Sequence, residues 1–344
     1  MKKQKDDIII TSVAQFVEEV TKICINEYDV KRSSVFFRGE ADKKWETRAS
    51  LLRGDKNDSN LQENDVFVQM EYDLISNAKK CYPELFKSCQ DSIDRIVEMQ
   101  HYGLPTRLLD VTENPFVALY FACESEFKKD GTVLFTYKEP LDHYCTNIIA
   151  TLCEHWQDYR NLNILDKRSM GKPDDYPIRE PNEFMGLKSF LNLLRDNGVC
   201  EKEKDIDVLR FLFYYLPKSF LYVPNYTNPR IQAQKGAFIF SAFMQPDFMY
   251  SSKYIELVKD GENRKLEEKE MTGIRFEKMC VSLRNEFEKK RFVIKKNDKK
   301  HILKELCLLG INEAFVYPEP EHQMKTVRDE VVMSHYHPTE QYFK

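Results

Sequence analysis

The 344-residue sequence predicts an α+β fold. Three observations predict it. An aromatic and β-branched run, Ser34-Val35-Phe36-Phe37-Arg38-Gly39-Glu40, reads as a strand. Residues 106–137 read as strand, buried helix, strand, and after a helical stretch at 141–216 the strand pattern resumes at 219–223 and again toward Phe240.

Composition narrows the class. Charged residues at 31% and hydrophobic ones at 42%, with 23 Phe and 18 Tyr, place the chain among globular rather than disordered proteins. A net charge of -4 argues against a surface that coats nucleic acid, while leaving room for a local basic patch. The sequence lacks any apolar run of membrane-spanning length, and MKKQKDDIII lacks the apolar core of a signal peptide, so a cytoplasmic protein with no membrane partner is expected. The nine cysteines include no Cys-x-x-Cys, which suggests neither a disulfide framework nor a zinc site.

Taken in order, Ser12 is placed to cap a helix whose Val13, Phe16, Val17, Val20 and Cys24 form one apolar stripe. The strand at 34–40 ends in Arg38-Gly39. A glycine beside the guanidinium permits the close backbone approach suited to an anion such as a diphosphate; an exposed arginine and a turn glycine at a strand end is the plainer alternative. Trp45 follows, then Arg53 as a second candidate phosphate-facing cation. Helices are predicted at 63–80, from Phe67, Met70, Leu74 and Ala78, and at 91–101, from Ile93, Ile96 and Val97 behind a capping Asp91. His101, at the second helix's end, either contacts a ligand or caps carbonyls.

Residues 99–124 concentrate polar groups in an apolar setting. Gly103-Leu104-Pro105 breaks what precedes it, and 106–112 reads as a strand with Leu108, Asp110 and Thr112 on one face and Arg107, Leu109 and Val111 on the other. Asn114-Pro115 then starts a helix to about Glu124, because asparagine caps free N–H groups and proline fits the first turn. That helix is apolar nearly all round and hence central. Arg107 and Asp110 therefore enter a buried region, where they either pair with each other or face a ligand cleft.

The later chain offers fewer signals. Within 141–216, Phe184, Leu187, Phe190, Leu191 and Leu194 make an amphipathic helix closed by Gly198, 170–181 an exposed loop, and 208–216 another apolar run. Arg230, Gln232 and Gln234 alternate with Ile231 and Ala233, placing their polar side chains on one face of a predicted strand; they either orient a polar ligand or form the solvent face of an edge strand. Basic residues at 289–291, 295–296 and 299–300 flank Phe292-Val293-Ile294, as a solvated edge that discourages strand pairing or as a nucleic-acid contact. Asp298 is placed to cap a helix closed by Gly310, and 311–317 to return as a strand. His335 and His337 in the polar tail lack further ligands, so no metal is expected.

On these residues the chain resembles the FRG domain family, named for Phe-Arg-Gly. The resemblance lies in Phe37-Arg38-Gly39, in QHYGLPTRLLD from Gln100 to Asp110, and in Asn114-Pro115 with the ALYFA run at 118–122. It continues in Arg230-Ile231 with Gln234, in Gly-Ala-Phe at 236–238 and in Leu-Gly-Ile at 309–311. It covers about 12–320 and divides the chain into a domain in two parts, 1–140 and 217–320, around the insertion or lobe at 141–216, with a tail at 321–344. A looser similarity is to ADP-ribosyltransferases, in Arg38-Gly39 on an early strand and in Thr112 before the apolar helix carrying Ala118 and Phe121. Gln232-Ala233-Gln234 occupies the place of their Gln/Glu-x-Glu, with Gln where the catalytic Glu is expected.

That similarity implies a split, mixed and antiparallel sheet with surrounding helices, and NAD as substrate. Breaking the nicotinamide–ribose bond develops an oxocarbenium-like centre, so a site must hold the diphosphate with cations and face the ribose with a dipole or carboxylate. Arg38, Thr112, Gln234 and Asp110 are then the implied catalytic set. Arg38 binds diphosphate or the adjacent ribose, Thr112 supports the cleft, Gln234 orients ribose hydroxyls, and Asp110 or Glu40 supplies negative charge. Arg38, Gly39, Arg107, Arg230 and Gln232 are the implied NAD-binding residues. The function implied is a toxin or a stress or phage-defence effector that transfers ADP-ribose to a protein or nucleic acid, RNA included, neutralised by an antitoxin protein. A non-catalytic nucleotide-binding or interaction module and an NAD glycohydrolase are the alternatives.

Overall fold

A computed structural model of the protein describes residues 7–26, 35–53, 64–155, 192, 194–198, 215, 218–225, 228–241, 245–250, 271–277, 282–320, 322–324 and 327. Its strands are β1 (Asp7–Ile10), β2 (Phe36–Glu40), β3 (Leu108–Thr112), β4 (Gly131–Thr136), β5 (Phe220–Tyr222), β6 (Gly236–Phe240), β7 (Gln245–Tyr250), β8 (Met271–Glu277) and β9 (Arg291–Ile294). Its helices are α1 (Val13–Asn26), α2 (Asn64–Cys81), α3 (Ser92–His101), α4 (Pro115–Cys123), α5 (His143–Glu154), α6 (Pro229–Gln234), α7 (Lys299–Leu308) and α8 (Glu313–Val316). The main sheet has seven strands in the order β1-β9-β4-β2-β3-β6-β5; β7 and β8 form a separate pair. The β1–β9 pairing is parallel and the others are antiparallel, so the fold is α+β with a mixed sheet. No helix among the described residues is long and apolar enough to cross a membrane.

Alternation along the strands separates two cores. Phe36 and Leu134 face one, with Ile75 of α2, Ile96 of α3 and Leu152 of α5. Phe37, Val133 and Phe135 face the other, with Phe16 of α1, Leu119 of α4 and Ile302 of α7. The helix starts follow the sequence signals. Ser12 Oγ accepts from the Gln15 N–H at 3.2 Å, Asp91 Oδ1 from Asp94 at 3.1 Å and Asn114 Oδ1 from Phe116 at 3.0 Å.

Two features position the site. Between β2 and β3 the register consists of Phe37 with Thr112, whereas β2 pairs with β4 along Phe36–Glu40 and β3 with β6 along Leu108–Thr112. The sheet therefore opens beside Arg38 and Gly39. Behind that gap, α4 rests with its backbone directly on the sheet: a Cβ at Gly39 would lie 1.9 Å from the Ala118 carbonyl oxygen, and one at Gly131 would lie 2.2 Å from that of Ala122. The missing side chain of Gly39 thus makes room for a helix rather than for an anion.

Several expectations change. Residues 230–234 are helical, not a strand, because Asn228-Pro229 repeats the start seen at Asn114-Pro115; Asn228 Oδ1 accepts from the Arg230 N–H at 2.9 Å, and Lys235 ends the turn with φ 46°. Asn312 likewise caps α8 through the Phe315 N–H at 2.9 Å, so 311–317 is not a strand. Asp298 makes no side-chain cap bond to α7. The basic run does not border an edge, since β1 covers β9. Arg291 Nε reaches Asp7 at 2.8 Å, Lys295 Nζ reaches Asp130 at 3.1 Å, and the fully buried Lys299 Nζ donates to the Ala41 carbonyl at 2.7 Å. Helix α5 falls inside the segment read as an insertion and yet supplies Ile149, Leu152 and Cys153 to the core. The loop at 170–181, Phe184, Leu187, Phe190 and Leu191 of the predicted helix, the run 208–214, and His335 and His337 lie outside the described residues.

Gly39→Ala is expected to cost more than about 3 kcal/mol, because the Cβ meets helix backbone that cannot rotate away. Gly103→Ala, at φ 80° with nothing within 4 Å, is expected to cost about 1 kcal/mol. Thermal unfolding of both variants checks the contrast.

Candidate functional site

A cleft of about 330 Å³ opens at the β2–β3 gap. β2 contributes Arg38 and Gly39, the end of α3 Gln100 and His101, β3 Asp110 and Thr112, the end of α4 Phe121 and Glu124, and α6 Arg230 and Gln234. Trp45 and Arg53 also line it, and Trp45 is 48% exposed.

Arg38 bridges the strands where their ladder stops. Its Nη1 donates to the Asp110 carbonyl oxygen at 2.8 Å, and its Nε donates to Glu40 Oε1 at 3.0 Å. Glu40 is buried and also accepts from Thr47 Oγ1 at 3.4 Å, so it holds the guanidinium and does not line the cleft. A guanidinium has five N–H donors, which leaves Arg38 able to receive an anion as well. The Asp110 carboxylate is presented by a relay: the Leu108 N–H donates to Thr106 Oγ1 at 3.1 Å, Thr106 Oγ1 to Gln100 Oε1 at 2.6 Å, and Gln100 Nε2 to the two Asp110 oxygens at 3.2 and 3.1 Å.

The hydroxyl of Thr112 is engaged on both sides, donating to the Gln234 carbonyl at 2.5 Å and accepting from the Asn114 N–H at 2.9 Å. It ties β3 to α6 and α4. Gln234 Nε2 donates to the Val316 carbonyl at 2.9 Å, which fixes the amide in the cleft wall. Because α6 is helical, Arg230 and Gln234 share a face by their i, i+4 spacing, and Gln232 does not. Gln232 is exposed and does not line the cleft.

Arg107, unlike Arg38, does not line the cleft. It is fully buried outside the cleft, where Nε donates to Glu71 of α2 at 2.8 and 2.9 Å and Nη2 pairs with the same carboxylate. Its guanidinium also lies 5.6 Å from the Phe240 ring centre. Arg107 pairs with Glu71 rather than Asp110 and does not line the cleft, so it joins α2 to the sheet.

A further residue of the site is Glu124, which caps the C-terminus of α4. In the cleft wall, the Tyr317 hydroxyl reaches its carboxylate oxygens at 3.3 and 3.1 Å, and the Arg230 guanidinium lies 4.8 Å from the Tyr317 ring centre. Burial pushes the Glu124 carboxyl from its ordinary 4.5 up to about 7; the Tyr317 hydrogen bond and Arg230 pull it down, and Glu313 pushes it up. No local signal marks Glu124, because its partner lies 193 residues along the chain.

Among the described residues, one group elsewhere has metal-ligand composition: Asp91, Asp94 and His143 bring ligand atoms within 4.8 Å of one another. Hydrogen bonds account for it. His143 Nε2 faces Asp91 Oδ2 at 2.6 Å and Nδ1 faces the Tyr222 hydroxyl at 2.8 Å, so both ring nitrogens are engaged with protein.

A family model of the FRG domain matches residues 33–131, from before β2 to the first residue of β4. Arg230, Gln234 and Tyr317 lie beyond the match. No curated protein and no solved structure matches the chain at a significant level.

Arg107→Met is expected to destabilise the fold by about 3–5 kcal/mol, since it strands a buried carboxylate, and adding Glu71→Leu to restore most of that loss. Denaturant unfolding of the single and double variants checks this. Glu124 gives a pH prediction. Its raised carboxyl binds a proton more tightly in the folded than in the unfolded state, so stability falls as pH rises from about 4.5 through about 7. Thermal unfolding across that window is expected to show a loss on the order of 2 kcal/mol in the wild type that Glu124→Gln lacks.

Proposed function

We propose that the cleft binds NAD and that the protein transfers ADP-ribose from it to a macromolecular acceptor, protein or nucleic acid. The observation that carries this reading is the gathering of the Arg38, Arg53 and Arg230 guanidiniums with the exposed Trp45 ring around one cleft. Guanidiniums match diphosphate oxygens in pairs, and an exposed indole offers a stacking face for a base. A volume of about 330 Å³ suits one nucleotide half, at the small end of ligand sites of roughly 300–1,000 Å³, with the other half extending across Trp45. The Asp110 carboxylate, steadied by Gln100, supplies negative charge toward the ribose as the nicotinamide bond breaks.

The similarity of Arg38-Gly39 and Thr112 to ADP-ribosyltransferases extends the reading to a cytoplasmic toxin or a stress or phage-defence effector, with a neutralising protein partner. One observation favours a second reading, a non-catalytic nucleotide-binding module: an amide, Gln234, stands where a transferase of that pattern carries its carboxylate.

Incubating the purified protein with NAD labelled in its phosphates and a cell lysate, then separating protein from nucleic acid, tests the two. Label in one fraction, lowered at least about 100-fold by Arg38→Lys, is the expected result. Nicotinamide release without macromolecular label identifies a glycohydrolase instead. Folded protein that gives neither label nor nicotinamide is the binding module.

A further inference from the structure

We propose that Glu124 is a catalytic residue of the transfer, the base that takes the acceptor's proton, and that the acceptor is therefore a neutral O–H or N–H nucleophile. This inference rests on the transferase reading of the cleft.

The cleft wall carries two carboxylates in unlike surroundings. Asp110 is exposed, with the Gln100 amide on both oxygens. Glu124 is half-buried and follows α4, where the helix's free carbonyls oppose a negative charge. The charged and titratable groups around Glu124 come from α6, from α8 with the residue that caps it, and from α4 itself. Tyr317 donates its hydroxyl, Arg230 of α6 attracts the carboxylate, and Glu313 of α8 repels it. Tyr120 of α4 is near enough to feel the same carboxylates, and burial with Glu124 and Glu313 pushes its phenol further above its ordinary value. Glu124 is thus the group of this set placed to exchange a proton near neutral pH, where proton transfer by a positioned side chain is most effective.

The step balances without a further reagent. The C1′–N bond to nicotinamide breaks, and its electron pair leaves on the ring nitrogen, which becomes neutral. The acceptor oxygen or nitrogen bonds to C1′, and its proton passes to the Glu124 carboxylate, which later releases it to solvent. A carboxylate or thiolate acceptor, already ionised, has no need of this base. Arg230 and Tyr317 act through Glu124 as positioning residues, by setting how readily it holds the proton.

The test measures transfer from labelled NAD into lysate across about pH 5.5–9 for the wild type, Glu124→Gln and Tyr317→Phe, with NAD binding followed by equilibrium dialysis. The wild-type rate is expected to rise through an inflection near pH 7. Glu124→Gln is expected to lose about 100-fold or more at the plateau, to lose the inflection and to keep NAD affinity within about 3-fold. Tyr317→Phe removes a hydrogen bond that favours the carboxylate, so its inflection is expected to move to higher pH. That shift carries the test if Glu124→Gln does not fold. Transfer and inflection both retained in folded Glu124→Gln, or an unmoved inflection in Tyr317→Phe, overturns the inference while leaving the transferase reading intact. Absence of Arg38-dependent label from the wild type overturns both.

Discussion

The resting of α4 on the sheet is the constraint from which the site geometry follows. The carbonyl oxygens of Ala118 and Ala122 occupy the space that side chains at Gly39 and Gly131 would fill, so the helix axis is fixed relative to β2 and β4. The chain leaves β3 at Thr112 and is already in α4 at Pro115. Helix position therefore dictates where β3 runs, and β3 meets β2 at one register pair before the sheet opens. The other end of α4 delivers Phe121 and Glu124 to that opening. A helix apolar on all sides is suited to this, because it has no face that prefers water.

The arginines show how packing rather than residue type decides a role. Arg38 lies in β2 and Arg107 immediately before β3, both in apolar surroundings. Arg107 meets a full carboxylate from α2 and no solvent, so its charge is consumed internally. Arg38 meets Glu40 through Nε alone and a backbone carbonyl through Nη1, and it retains donors at the mouth of the gap. Arg230 lies over Tyr317, with its Nη1 3.6 Å from a Glu319 oxygen. Cations steadied by protein partners in this way need little reorganisation when an anion arrives, which is the condition for strong electrostatic stabilisation.

Most local signals are legible in the sequence, although Asp298 makes no cap and the Asn228 and Asn312 caps stand before helices too short to show their period, whereas distant pairings are not legible. Ser12, Asp91 and Asn114 cap helices as their positions predict, because capping joins atoms a few residues apart. Arg38, Gly39, Asp110, Thr112, Arg230 and Gln234 converge on one cleft from separate segments of the chain. Gln232 and Arg107 do not join them. The alternation around Gln232 imitates a period of two because the helix that carries it has six residues, too few for its own period to show. The role of Arg107 depends on Glu71, 36 residues away, and β1 depends on β9, at the far end of the chain. Even Gly39 was half legible: close approach was readable from the residue type, but not what approaches.

The glutamine at 234 acquires a physical meaning in this light. Its amide nitrogen is bound to the Val316 carbonyl and its own backbone carbonyl to the Thr112 hydroxyl, so it joins β3, α6 and α8 at the cleft wall. A carboxylate there has no N–H to offer Val316 and would add a third carboxyl group to a wall that already contains Asp110 and Glu124. An amide at 234 and a carboxyl at 124 are therefore complementary choices: the first closes the wall by hydrogen bonds, and the second keeps a titratable group within it. The same hydrogen-bond pattern explains why Tyr317, four residues beyond Glu313, reaches Glu124. Val316 is held by Gln234, and the next residue is thereby directed at the carboxyl.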